Sequence, residues 1–467
     1  MAATRADAAP GAAAGGDPAT ERHLLVLFGA TGDLGRSKLL PAVWEIARDP
    51  ARPPLAGVLG VGRSERTADD LRGMLADAVG DGREAAPERW RELVESVDYV
   101  AADVATDAGR AALGAAVDAA RGRVGADRVA VYLAIPPEDY EAAIEALARI
   151  DALGEAQIAL EKPIGTDAAS ARRVNAAIAG ALGERRAHRV DHFLSKEPVD
   201  DLVALRAGSP ALERLWSAEA VACVQIDMPE EGPLEDGRAA FYEQTGAIRD
   251  MLATHVLELA AVVGMEPPAS LAEGAVAAAR ERFLAAARPL RAADVVRGQY
   301  EGYREAEGVD PRSDTETFAA ARLMVDAPRW EGVPFLLRTG KGMHRKARRV
   351  TLLLRGGASD GGAERVVVDL GPETGVRVEL GRGALVLEGD DSLAGAPGGI
   401  DYARVLERVL VGDERAFLGR GESQRAWELF AAPLAEPAPV RPYAIGAPGP
   451  AEAAAAADPW GWLLDAS

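Results

Sequence analysis

The feature that most limits how this chain can fold lies near its start, where a short apolar run breaks into glycine. His23 to Phe28 (HLLVLF) reads as a strand buried on both faces. It runs straight into Gly29-Ala-Thr-Gly-Asp-Leu-Gly35 and then a segment, Lys38 to Ile46, with helical spacing. Strand, glycine turn and helix in one stretch begin a βαβ unit. Glycine serves such a turn in three ways: the chain reverses sharply, the backbone can approach a pyrophosphate, and the helix packs close to the strand. The helix N-terminus adds free N–H groups and a positive dipole end. The spacing Gly29-x-x-Gly32-x-x-Gly35 is a variant of the dinucleotide fingerprint, and its context favours binding over a turn needed for packing alone.

The pattern continues with buried-strand candidates at Gly57–Val61, Val129–Ile135 and Ala156–Leu160. Helical segments at Ala68–Val79, Ala86–Glu95 and Arg110–Arg123 lie between them. Such alternation predicts a parallel, doubly wound sheet. The character changes near Val190. Strands are predicted at Ala218–Met228, Glu316–Val325, Val333–Arg338, Arg349–Leu354, Arg365–Leu370 and Gly375–Leu380, with helices again at Asp401–Val411 and Glu422–Ala431. The predicted fold is an α/β Rossmann-like N-terminal domain over residues 21–190. An α+β C-terminal domain with a large, mostly antiparallel sheet follows over 191–467. Met1–Thr20 reads as a disordered tail, and Pro437–Ser467, rich in Pro, Ala and Gly, as a wrap over the surface.

Composition narrows the partners. With 48% hydrophobic residues the chain can bury a sizeable core. Its 53 Lys plus Arg against 73 Asp plus Glu give a formal charge of −20. That excess disfavours nucleic acid and anionic membranes as partners, so a phosphorylated ligand must be held by a local basic cluster. Cys223 is the only cysteine, which excludes an internal disulfide or a cysteine-built metal cage. No apolar run is long enough to span a membrane and no secretory leader is recognisable, so a cytoplasmic location is expected.

The candidate site residues follow from their neighbours. After the second predicted strand, Gly62 is followed by Arg63 and Ser64, with no acid before Glu65. Arg63 suits the 2′-phosphate of NADP, where an NAD site usually has an acid; the alternative is a solvated arginine on a surface turn. The chain has five histidines: His23, His188, His192, His255 and His344. His188 and His192 have metal-ligand spacing but no clear helical face and no third ligand nearby, so no metal is expected. His192 and Lys196 form either an anion pocket or a helix start with solvated charges. His255 sits on an apolar stripe beside Arg249 and Asp250. It is either a core histidine or a base oriented by a carboxylate, as alcohol oxidation requires.

Taken together, the motifs resemble the glucose-6-phosphate dehydrogenase family. The blocks are GATGDLGRSKLLPAVW (Gly29 to Trp44), EKPIGTD (Glu161 to Asp167), RVDHFLSKE (Arg189 to Glu197) and the long run from Phe241 to Pro268. RGQYEGY, SDTETF, GVPFLLRTGK and the segment from Arg408 to Leu429 add to them. The resemblance implies an enzyme that oxidises glucose 6-phosphate to its lactone with NADP, assembled as a homodimer or homotetramer. It implies that Gly29, Ala30, Thr31, Gly32, Asp33, Leu34 and Arg63 hold the cofactor, with Lys162 touching cofactor and sugar. His192, Lys196 and Lys346 match phosphate contacts, and Glu231, Asp250 and Lys341 match contacts to sugar hydroxyls. His255 matches the general base and Asp191 the carboxylate that orients it.

The chain departs from the family pattern at four places. Phe193 replaces a tyrosine, Ser195 a glycine, Thr254 an asparagine and Gly371 a glutamine, and the segment after Gly371 is shortened. These changes predict weakened substrate binding or a shifted sugar preference. A non-catalytic NADP-binding protein is the rival from another class, and it leaves His255 and Asp191 without a purpose. An enzyme of the glucose–fructose-oxidoreductase type is a nearer rival, and it leaves the DHFLSK block and the Lys341/Lys346 pair unexplained.

Overall fold

The computed structural model describes residues 17–234, 237–268, 274–356, 364–371, 374–380, 383–387 and 401–465. The predicted tail falls mostly outside these residues. Its last four, Asp17 to Thr20, form a turn in which the Asp17 carboxylate accepts from the Ala19 N–H at 3.0 Å.

The first sheet is built from β1 (His23–Phe28), β2 (Leu55–Gly62), β3 (Val97–Ala101), β4 (Arg128–Leu133), β5 (Gln157–Glu161) and β6 (Ala187–Val190). All six are parallel, in the order β6-β5-β4-β1-β2-β3. A two-residue strand, Phe417–Leu418, closes the β6 edge in antiparallel fashion. The reason β1 is apolar throughout is now visible. Leu24, Val26 and Phe28 face one core with Leu113, Val117 and Ile144, while Leu25 and Leu27 face the other with Trp44 and Val43. Helix Asp401–Val411, far downstream, covers this second face through Tyr402, Val405, Leu406 and Val409.

With the closing strand of the first sheet, Phe417–Leu418, as β15, the second sheet contains β7 (Val221–Glu231), β8 (Val295–Tyr300), β9 (Phe318–Leu323), β10 (Phe335–Met343), β11 (Arg349–Leu354), β12 (Arg365–Leu370), β13 (Thr374–Leu380), β14 (Gly383–Leu387) and β16 (Val440–Tyr443). Its order is β14-β13-β12-β11-β7-β10-β9-β8-β16, and only the β7–β10 and β8–β16 pairs are parallel. One face packs on the apolar helix Leu257–Gly264; the other is covered by Trp462, Ala453 and Ala457. The C-terminal stretch is therefore more than a surface wrap. It contributes β16 as an edge strand, where Pro442 is tolerated. Asp465 pairs with the fully buried Arg338 at 2.7 Å.

Six strands, β3, β6, β8, β14, β15 and β16, lie outside the predicted set, and four of them show a physical reason. Along the edge strand β3, Val97 and Tyr99 are buried, while Asp98 and Val100 are only partly so. Strand β6 has four residues, two of them His188 and Arg189, both buried and both satisfied by side chains, Gln157 and Asn175. Strand β8 buries Arg297 and Gln299 against Glu316 and the Ser313 and Thr315 carbonyls. Strand β16 hides behind its proline.

His188 gives a stability prediction. Burial, then neighbouring Arg189, pull its pKa to about 4 against the opposing Asp413. Below 6.5 the unfolded chain takes up a proton that the native state refuses. Stability therefore falls as pH drops from 6.5 toward about 4, by up to about 1.4 kcal/mol per pH unit. Melting temperatures at pH 7, 6 and 5 should show a steeper decline for the native protein than for His188→Gln; equal slopes would remove His188 from the account.

Candidate active site

The parallel sheet delivers its functional residues at one edge. The glycine turn follows β1, Arg63 follows β2, Lys162 follows β5 and Asp191 follows β6, all at the carboxyl ends of strands. The strand order reverses direction between β4 and β2, on either side of β1, which is the place where doubly wound sheets bind ligands.

The glycines of the turn divide their work. Gly29 has φ of +70° and a Cβ there would sit 2.1 Å from the Ala134 carbonyl oxygen. A Cβ on Gly35 would lie 2.4 Å from the Ala30 oxygen. These two are demanded by the fold. Gly32 is exposed, and a Cβ there meets only the Gly29 oxygen at 3.2 Å, so its surface is open to a ligand's backbone approach. Ala30 is buried under the turn, Thr31 and Leu34 are half-buried and Asp33 is exposed. Arg63 is exposed and its side chain forms no ion pair or hydrogen bond among the described residues.

A second group gathers where the two sheets meet. His255 lies on a helix wound with wide turns over Ile248–Val256, an arrangement often found at functional sites. Its Nδ1 is 2.7 Å and 2.9 Å from the two carboxylate oxygens of Asp191, 64 residues away, and both side chains are buried. The Phe193 N–H also donates to Asp191 Oδ1, at 2.8 Å. Burial pushes the His255 pKa down to about 3 against the pull of Asp191, with Lys162 adding to the fall. Burial would raise Asp191, but the adjacent His255 and its hydrogen bond, then His192 and Lys162, hold it well below the usual carboxylate range. The pair thus rests as a neutral imidazole against a carboxylate, with Nδ1–H donating and Nε2 left as the basic nitrogen. Asp191, His192 and His255 each offer a ligand atom within 4.8 Å of the others. The 2.7 Å and 2.9 Å separations inside the dyad are hydrogen-bond distances.

The remaining residues ring this pair. Lys162 Nζ donates to the Asp250 carbonyl at 2.9 Å and lies 3.2 Å from its carboxylate. Asp250 is held down at about 2 although burial opposes this, by Lys162 first and then His255 and Lys341. The His192 ring is 4.7 Å from that of His255, and Phe193 is 4.2 Å from it. Lys196 Nζ sits 4.9 Å from the centre of the Phe193 ring. Lys341 meets Glu230 at 2.5 Å. Glu230 is half-buried and pairs with the lysine, while Glu231, the acid chosen from the sequence, is exposed and has no side-chain partner among the described residues. Lys346 is exposed and has no side-chain partner among the described residues.

Sequence reasoning missed three residues here. Glu230, one position before the chosen acid, pairs with Lys341. Glu161 is buried, accepts from the Tyr132 hydroxyl and from Tyr402 at 3.3 Å, and faces His192 Nδ1 at 3.9 Å. Its place before Lys162-Pro163 was a visible signal. Arg348 is taken up below.

A parallel nucleotide-type sheet, an antiparallel partner sheet and a carboxylate-oriented histidine between them define a two-domain, dinucleotide-dependent dehydrogenase. Residues 26–201 match the family model for the glucose-6-phosphate dehydrogenase NAD binding domain, and residues 203–462 match that for the C-terminal domain. The chain belongs to the glucose-6-phosphate dehydrogenase family. It is 34% identical over 477 residues to glucose-6-phosphate 1-dehydrogenase of Gluconobacter oxydans, covering 92% of this chain and 94% of that one. It is 32% identical over 447 residues to glucose-6-phosphate 1-dehydrogenase 2 of Mycobacterium tuberculosis, covering 87% and 86%. The crystal structure of the Mycobacterium avium enzyme superposes with a TM-score of 0.83 at 31% identity, covering 95% of this chain and 99% of that one.

Proposed function

We propose that this enzyme oxidises glucose 6-phosphate at its anomeric carbon to 6-phosphogluconolactone, using NADP. The observation that carries the reading is the buried Asp191–His255 pair, set beside Lys162–Asp250 and ringed by His192 and Lys196. The names of the relatives above, all glucose-6-phosphate 1-dehydrogenases, point the same way. Nε2 of His255 takes the proton of the anomeric hydroxyl, and Asp191 steadies the imidazolium that forms while keeping Nδ1 protonated. NADP, when bound, supplies the acceptor for the hydride leaving that carbon. Asp250, Glu230 and Lys341 orient the sugar hydroxyls; Glu230 replaces Glu231 in this role. His192, Lys196 and Lys346 hold the phosphate, so remote binding energy positions the reacting carbon.

The glycine turn, Ala30 to Leu34, Arg63 and Lys162 hold the cofactor, and residues 21–190 form its domain, with the sugar bound by Lys162 and the remainder. Arg63, exposed just after β2 and without an ion pair or hydrogen bond among the described residues, would bind the 2′-phosphate. The enzyme works in the cytoplasm as a homodimer or homotetramer. Among the described residues no helix is long and apolar enough to cross a membrane.

The test is the appearance of reduced nicotinamide on adding glucose 6-phosphate, against a panel of hexose phosphates and free glucose. No turnover with any of them ends the dehydrogenase reading. In the same assay Arg63→Ala should weaken NADP by about 10- to 100-fold while leaving NAD nearly unchanged, as expected for a lost charge-assisted pair. An unchanged NADP-to-NAD preference would refute the role of Arg63.

A further inference from the structure

The basic run Arg345-Lys346-Ala347-Arg348-Arg349 follows β10 and enters β11. Two of its arginines are engaged. Arg345 donates to the Leu464 carbonyl at 2.9 Å, and Arg349 binds the Asp369 carboxylate at 2.6 Å. Arg348 is different. Its backbone is pinned to the end of β12, with its N–H on the Gly371 oxygen at 3.1 Å and its carbonyl accepting from Leu370 at 2.8 Å. Its guanidinium is half-buried yet forms no ion pair or hydrogen bond among the described residues.

That is unusual chemistry for this chain. Acids outnumber bases by 73 to 53, and most of its half-buried arginines have found one. A guanidinium partly withdrawn from water without a partner is costly unless an anion arrives to complete it. Its surroundings say where that anion would sit. The Arg348 guanidinium carbon lies 5.5 Å from the centre of the Phe193 ring, the same ring that carries Lys196 Nζ at 4.9 Å and lies 5.1 Å from His192. One nitrogen also lies against Gly371, where an added Cβ would approach it to 3.3 Å. Phe193 offers no hydroxyl and Gly371 no side chain, and the guanidinium is a polar group that this wall presents.

We propose that Arg348 is a specificity-determining residue that binds the phosphate of the substrate from the β11–β12 side, opposite or alongside Lys196 and His192. This rests on the reading of the site as one for a sugar phosphate. A planar guanidinium gripping two phosphate oxygens adds both strength and direction. The small residue at 371 is what leaves it room.

The test compares the native enzyme with Arg348→Ala and Arg348→Lys. For Arg348→Ala, KM for glucose 6-phosphate should rise about 10- to 100-fold with kcat changed less than about threefold, the signature of lost uniform binding. KM for unphosphorylated glucose should stay the same, and Arg348→Lys should recover part of the loss. The inhibition constant of inorganic phosphate, and its binding by calorimetry, should weaken by a similar factor. Equal changes for glucose and glucose 6-phosphate, or none for either, would show a guanidinium that merely stacks on Phe193 and would overturn the proposal. Should the native protein turn over no hexose phosphate, the calorimetric arm still decides: phosphate binding lost in Arg348→Ala keeps the anion site while the dehydrogenase reading fails, and unchanged phosphate binding removes the site as well.

Discussion

His255→Asn lowers kcat/KM for glucose 6-phosphate by about 10²–10⁴-fold, the range a positioned general base supplies. The substitution keeps a polar side chain of similar reach, so a hydrogen bond to Asp191 can persist and the fold should survive. Melting temperature and cofactor binding should stay near their native values while turnover falls. A loss below about tenfold would mean that proton removal is not limiting, or that another group does it. The pH profile supplies an independent check. Because burial holds His255 neutral down to about pH 3, the acid limb of kcat/KM should lie below the ordinary histidine value of 6.5. The sign is fixed by the mechanism: a base acts only when unprotonated, so a lowered pKa extends activity toward acid.

The second large effect comes from Asp191→Asn, with an expected loss of about 10³–10⁴-fold in kcat. The carboxylate accepts two hydrogen bonds, from His255 Nδ1–H and from the Phe193 N–H. An amide oxygen can keep the Phe193 contact, but its NH₂ then faces Nδ1 and donates to it. The imidazole is driven to the opposite tautomer, its proton moves to Nε2, and the nitrogen that should receive the substrate proton is already occupied. The stabilising charge for the imidazolium is lost as well. KM should change much less than kcat, because Asp191 is buried and its carboxylate is engaged by His255 and the Phe193 N–H. If KM rose in step with a modest fall in kcat, Asp191 would be acting on substrate binding and its role here would be wrong.

Much of this site was legible in the residues, because the chemistry of a nucleotide turn is local. HLLVLF followed by Gly29, Gly32 and Gly35 carries its own instructions: an apolar run for a doubly buried strand, and small residues where backbone oxygens of Ala134 and Ala30 crowd the turn. Lys162, His192, Lys196 and His255 could be named from their neighbours and from the family blocks. That Glu230 rather than its neighbour Glu231 pairs with Lys341 could not be read that way, since the pairing depends on how β7 and β10 meet. Nor could Arg348 be singled out from its basic run; what sets it apart is a half-buried guanidinium with no ion pair or hydrogen bond among the described residues, which only the folded surroundings define.

The sequence by itself determined the elements: a parallel nucleotide-type sheet, a β-rich second half, and a short list of ionisable groups able to do oxidation chemistry. Periodicity and turn composition act between residues a few positions apart, so they can be read along the chain. Only the tertiary structure decided which of those groups meet. Asp191 stands next to His192 in the chain, yet its carboxylate serves His255, 64 residues away, because β6 ends beneath the wide-turned helix. Asp250, which shares that helix with His255, is turned to Lys162 instead. Partner choice depends on how separately formed elements pack, and burial then sets the charge of each group.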